Sequence, residues 1–203
     1  MAKVTNTGVH IVEGSAAAAD TGGEGQIWVK SDTPSSLYHT DDAGTDFRIN
    51  GITVGTETAS TSGTAIDFTG IPAGVKKIVI MCEICSTNST SDLLIQIGDG
   101  DGIEASGYEG VVEANGTLTA FGAGYIFYDA PSASTVWSGV INLYLKDASN
   151  NTWGETGLCH NGASNAVHVG TGFKSLTATL DRVRITSASG DTFDAGSINI
   201  QYE

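Results

Sequence analysis

Positive charge is scarce in this sequence. There are nine lysines and arginines against 23 aspartates and glutamates in 203 residues. A protein that grips a nucleic-acid backbone needs clustered cations, and none occur here. The same scarcity leaves nothing to hold an anionic membrane surface. The formal net charge of −14 is read as a source of solubility and mutual repulsion. Three cysteines, an odd number, do not describe a disulfide framework. No apolar run is long enough to cross a bilayer, so no membrane insertion is expected. The opening MAKVTNTG lacks an apolar stretch after its lysine, so no signal peptide is expected either. Good helix formers never recur at helical spacing. The alanines at 16–19 come nearest, but Gly14 and Gly22-Gly23 bracket them, and four residues cannot nucleate a helix.

What is abundant is glycine, 27 residues, with much serine and threonine and only three prolines. Short β-branched stretches separated by such turn residues make an all-β composition. The chain changes character near residue 50. Before it, apolar residues are sparse: Val9, Ile11, Val12, Ile27, Trp28, Val29, Leu37, Tyr38, Phe47 and Ile49. Strands are predicted at 26–30, 37–40 and 46–49, with turns such as the one at Pro34 between them. They are too few and too short to bury a core as one chain. Residues 1–50 are therefore expected to be an arm stabilised from outside, with Trp28, Leu37, Tyr38 and Phe47 as the contact residues. Copies of the arm wound together would supply the missing core.

From Gly51 onward the apolar density rises. Strands are predicted at 52–58, 65–68, 76–86, 93–97, 108–113, 118–121, 125–128 and 136–146, with weaker signals at Trp153 and 166–169. The closing stretch 173–203 reads as a pair of strands. Leu176, Ala178 and Leu180 alternate with threonines, Val183 and Ile185 with arginines, and Ile198, Ile200 and Tyr202 with polar residues. The apolar set changes parity between Leu180 and Val183, which requires a bulge or corner near Asp181. Such spacing predicts an antiparallel β-sandwich, jelly-roll-like, over 51–203.

Signals for chemistry are weak. Cys82 and Cys85 have the CxxC spacing, but on a strand the two thiols would point to opposite faces, so buried free cysteines are expected rather than a metal site. Asp99-Gly100-Asp101-Gly102 lacks the glycine and acid positions of a calcium loop and reads as a turn, with a loosely held cation helped by Glu104 as the alternative. Residues 170–175 fail the phosphate-loop pattern at Phe173. No GxSxG or HExxH occurs. No enzyme activity, cofactor or metal is expected. The sequons at Asn88, Asn115 and Asn150 read as polar loops. Trp137 is expected in the core. Trp153 reads as the cap of one end of the sandwich. Were it exposed beside His160, it would stack a sugar face, and Tyr108 is the other ring considered for glycan contact.

The stretches GQIWVK at 25–30, TPSSLY at 33–38 and TDDAGTD at 40–46 resemble a short arm of virion structural proteins of tailed bacteriophages, particularly marine ones. FTGIPAGVKKI at 68–78, LIQIGD at 94–99 with Gly107-Tyr108, residues 149–153 and the close from Lys174 resemble the globular domain of the same proteins. The resemblance implies a homotrimeric short fibre or spike on the virion surface, docked on capsid or tail proteins by its N-terminal arm. The β-sandwich would then be free to contact host-surface glycan. The alternative it implies is a head fibre or capsid decoration protein that binds no receptor.

Overall fold

The computed structural model describes residues 3–5, 8–11, 13–19, 24–31, 36–41, 44–49, 51–128, 132–162 and 166–203. Val12, the turn at Pro34 and Asn50, where the chain changes character, lie outside the described residues. No helix occurs among those described, and none is long and apolar enough to cross a membrane. The chain divides into two compact units, Met1–Ile52 and Thr53–Glu203.

In the first unit β1 (Lys3–Thr5) and β2 (Gly8–His10) form an antiparallel pair. A second sheet has the order β3-β4-β5-β6, built from β3 (Glu13–Gly14), β4 (Gln26–Lys30), β5 (Ser36–Thr40) and β6 (Asp46–Arg48). The last three run as an antiparallel meander, and β3 lies parallel to β4.

The second unit contains β7 (Thr53–Val54), β8 (Thr58–Ala59), β9 (Ala65–Thr69), β10 (Lys77–Thr87), β11 (Leu93–Asp99), β12 (Gly102–Ile103) and β13 (Tyr108–Ala114). It continues with β14 (Thr117–Phe121), β15 (Tyr125–Tyr128), β16 (Trp137–Asp147), β17 (Thr152–Asn161), β18 (Val167–Ser175), β19 (Arg182–Ser187) and β20 (Phe193–Tyr202). They form two antiparallel sheets. The large one has the order β14-β13-β18-β17-β16-β10-β20-β7, with β8 also on β20. The small one runs β12-β11-β19-β9, with β15 also on β11. Ile78, Ile80, Ile141, Leu143, Ile198 and Ile200 of the large sheet share one core with Ile66, Phe68, Leu93, Ile95, Val183 and Ile185 of the small one. The fold is thus all-β and sandwich-like.

The closing stretch differs from the expected strand pair. Residues 176–181 are not a strand but a crossing between sheets. Leu176 and Leu180 anchor it in the core, while Ala178 is exposed and gives its N–H to the Asp99 carboxylate at 2.8 Å. The parity change near Asp181 marks this corner. β19 and β20 also fail to pair with each other. The turn at Gly190 (φ 71°) carries the chain from the small sheet to the large one. The strand expected over 52–58 is broken into β7 and β8. Both pair with β20, and the glycine between them seats against it, since a Cβ on Gly55 would lie 3.1 Å from the Ile200 carbonyl.

Cys82 and Cys85 share the interior instead of facing opposite ways. Cys82 pairs with Gly139 and Cys85 with Trp137, so β10 carries one extra residue there, and Ile84 stands at φ 51°. A bulge of this kind flips the parity of the side chains after it. The Cys85 thiol is held by the Ser60 hydroxyl at 3.2 Å and the Ser197 carbonyl at 3.3 Å. All three cysteines are buried and free. The bond to Cys85 and burial both push the Cys82 thiol up, and burial pushes Cys159 up as well.

Candidate functional site

The arm residues divide between two faces. Trp28 and Tyr38 are cross-strand partners on one face of β4 and β5, with rings stacked at 5.1 Å. The Trp28 ring N–H donates to Thr40 Oγ1 at 2.9 Å, and Thr40 donates to Asp46 Oδ1 at 2.6 Å. Leu37 and Phe47 lie on the other face. Phe47 stacks on His39 at 6.4 Å, while Leu37 and Ile27 are exposed.

The residues considered for glycan contact are not brought together. Tyr108 and Trp153 are buried, so neither ring is offered to a sugar. The Tyr108 hydroxyl accepts from Ile97 N–H at 2.7 Å and donates to the Glu104 carbonyl at 2.8 Å. Trp153 faces inward, and its carbonyl accepts from the Tyr125 hydroxyl at 3.1 Å. Only His160 is exposed, seven residues further along the same strand and on its opposite face. Tyr108→Phe leaves the buried Ile97 N–H without its acceptor and is expected to cost about 1–3 kcal/mol in urea unfolding.

The acids of the Asp99 loop are engaged by protein donors. Asp99 accepts from Thr177 Oγ1, Ala178 N–H and Asp101 N–H at 2.8, 2.8 and 3.0 Å, and the Thr177 bond leads in holding it below the usual carboxylate range. Burial of Glu104 would raise its carboxyl, but the Lys174 ammonium and Thr177 outweigh this and hold it low. Gly100 and Asp101 form the hairpin turn between β11 and β12, and no cluster of three metal-ligating side chains occurs among the described residues.

The surface feature that the sequence pattern did not reveal is the outer face of the large sheet. On β16, odd-numbered residues such as Trp137, Ile141 and Leu143 point inward and Val140 and Tyr144 outward. On β17, Leu158 and His160 point outward. On β18 the polarity is inverted: Val167, Val169, Thr171 and Phe173 face out, while His168, Gly170, Gly172 and Lys174 face in. Cross-strand pairing aligns Met81, Val140, Leu158 and Val169 as one row over four strands. A shallow groove of about 380 Å³ lies among Met81, Val140, Leu158 and Val167, with Ser138 and His160 at one end. A second row sets Tyr144 and Phe173 on either side of Gly154, with the Lys146 ammonium 5.2 Å from the Phe173 ring centre.

The inner side of the same strands holds the polar residues. Lys174 pairs with Glu104, and His168 stacks flat on Tyr128 at 4.2 Å. Glu155 is 3% exposed, and neither carboxyl oxygen has a hydrogen-bond partner among the described residues. It lies over Gly157, where a Cβ would come within 2.6 Å of Oε1. Burial pushes its carboxyl up to about 8.

The outer face thus combines apolar side chains with charged neighbours, Lys146 beside Phe173 and Glu113 beside Val169, while the inner side of the same strands holds the buried ionisable groups. No family model matches the chain, and neither does any curated protein or any solved structure.

Proposed function

We propose that the chain is a structural protein of a tailed-phage virion, a trimeric short fibre or spike. In this reading its N-terminal arm docks on capsid or tail proteins, and its β-sandwich is displayed on the particle surface for host contact. The observation that supports it most is the exposure of large apolar side chains on both units: Ile27 and Leu37 in the first, and the row through Val140, Leu158 and Val169 in the second. Contiguous apolar surface of this kind marks protein–protein contact. The arm's similarity to virion arms supplies the partner class.

One observation favours the second reading, a head fibre or capsid decoration protein without a receptor. The rings of Tyr108 and Trp153 are buried, which leaves His160 alone of the residues considered for glycan. Densitometry of purified particles separates the two. A few copies per particle support a tail or vertex device, and many support a coat. Absence of the protein from particles refutes both.

The division of labour gives a further test. A chain beginning at Gly51 is expected to stay folded, because the second unit holds the core shared by both sheets. It is expected to be absent from particles. Incorporation at the normal copy number would show that the arm is not the anchor.

A further inference from the structure

We propose that Cys82 and Cys85 form a reversible disulfide, which makes the bulge of β10 a redox-sensitive clasp inside the sandwich. The clasp goes beyond the reading above and does not depend on it.

The bulge carries the inference. On an even strand, residues three places apart lie roughly 10 Å from each other and on opposite faces. Here Cys82 stands opposite Gly139 and Cys85 opposite Trp137, only two places apart on β16, whose ladder with β17 is regular there. The α-carbons of the two cysteines are thus held roughly 6.6 Å apart, the length of two strand steps. A disulfide spans up to about 6.8 Å. The two thiols already meet in a hydrogen bond.

Both neighbouring strands are shaped to the bulge. On β20, Ile84 and Cys85 together face Gly196 (φ 90°), where a Cβ would come within 2.5 Å of the Glu83 and Ile84 carbonyl oxygens. On β16, the Ser138 hydroxyl accepts from Ile84 N–H at 2.9 Å. Ile84 itself stands at φ 51°, a strained backbone for a β-branched residue. Three strands therefore hold a strained segment whose effect is to bring both sulfurs to one side.

The pair is also chemically unequal. The contact with Cys82 leads in holding the Cys85 thiol below the ordinary range, and the Ser60 hydroxyl at 3.2 Å adds to it. The same contact and burial raise Cys82. Cys85 is thus the attacking sulfur. Cys82 and Gly139 line the floor of the groove of about 380 Å³, so solvent reaches the layer that carries the pair. Cys159 is a partner to neither, because β17 lies two strands from β10, roughly 9–10 Å away and beyond a disulfide's reach.

The oxidant is hydrogen peroxide. The Cys85 thiolate attacks one peroxide oxygen, the O–O bond breaks, and the departing hydroxide takes the proton that the thiol gave up and leaves as water. The Cys82 sulfur then attacks the Cys85 sulfenic acid, the S–O bond breaks, and that hydroxide leaves with the Cys82 proton as a second water. Two thiols lose two electrons, and peroxide gains them. A dithiol reductant reverses the step by exchange.

The test treats the folded full chain with hydrogen peroxide, quenches it, unfolds it and alkylates the remaining thiols for mass spectrometry. Two of the three cysteines are expected to be lost to alkylation, with peptide mapping placing the link between Cys82 and Cys85. A dithiol should restore all three, and the circular dichroism spectrum should stay unchanged throughout. Cys159→Ala is expected to form the same link, and Cys85→Ala to leave Cys82 unlinked. If Cys85→Ala fails to fold, the mapping of the wild type and of Cys159→Ala decides. Three alkylated cysteines after oxidation would overturn the proposal. So would a link through Cys159, a link between chains, or a link that forms only as the β spectrum is lost.

Discussion

Glu155→Gln is expected to abolish most of the stability loss that the wild type undergoes between pH 5 and pH 8, a loss of roughly 3–4 kcal/mol. The Glu155 carboxyl sits in the core without a partner, and burial raises it to about 8. It is therefore protonated when folded and ionised when unfolded over this range, so folding takes up a proton. Stability is fully present below the ordinary glutamate range and drains away as the pH climbs to about 8. The facing groups do not blur the effect. Burial raises Tyr125 and Cys159, so neither ionises in this window. Glutamine has the same shape and no charge, so its melting temperature at pH 8 should exceed the wild type by roughly 10 °C. Asp99 and Glu104, held low, act in the other sense: their contribution is present at neutral pH and is lost as pH falls through their folded values. Maximum stability is thus expected near the lower end of the range, around mildly acidic pH. Thermal melts of both proteins across pH check this. Parallel curves for the two would show that Glu155 is not the titrating group.

Ile200→Asp is expected to abolish soluble folding. Ile200 is 2% exposed on the inward side of β20, opposite Ile80. The change removes a packed side chain and buries an unpaired charge, together roughly 5 kcal/mol or more. That is comparable to the whole stability of an ordinary domain. Asn199→Asp is expected to be mild for folding. Its side chain points outward, and the oxygen that accepts from Ile200 N–H at 2.8 Å is kept. Equal solubility and melting of the two variants would contradict the alternation of β20.

The strands that could be read from sequence are those whose apolar residues alternate against a polar set. Residues 26–30 and 125–128 coincide with β4 and β15, and the run at 76–86 differs from β10 by one residue at each end. Strands β17 and β18 were poorly visible. Glycines at 154, 157, 170 and 172 and the inward Glu155 and Lys174 dilute their pattern, and the neighbours on both sides decide their course. The alternation at Leu176, Ala178 and Leu180 misled for a related reason. Two leucines four residues apart anchor a crossing as well as a strand does. Exposure was the least readable property. Tyr108 and Trp153 differ from Tyr144 and Phe173 only in which way their strands turn, and that depends on cross-strand register and on the bulge at Ile84, none of which is local to the ring.

The order in which strands meet also constrains how the molecule is made. β20 lies between β10 and β7 in the large sheet, and β19 lies between β11 and β9 in the small one. Both places are filled by residues beyond 181, more than a hundred positions after β9 for β19 and after β10 for β20, and some eighty after β11 for β19. During synthesis the small sheet has a gap until β19 has emerged and the large one until β20 has, and the topology favours slow folding through long-range pairing. A chain interrupted before Phe193 would leave β10 with one edge unpaired, the form of strand most prone to recruit another chain.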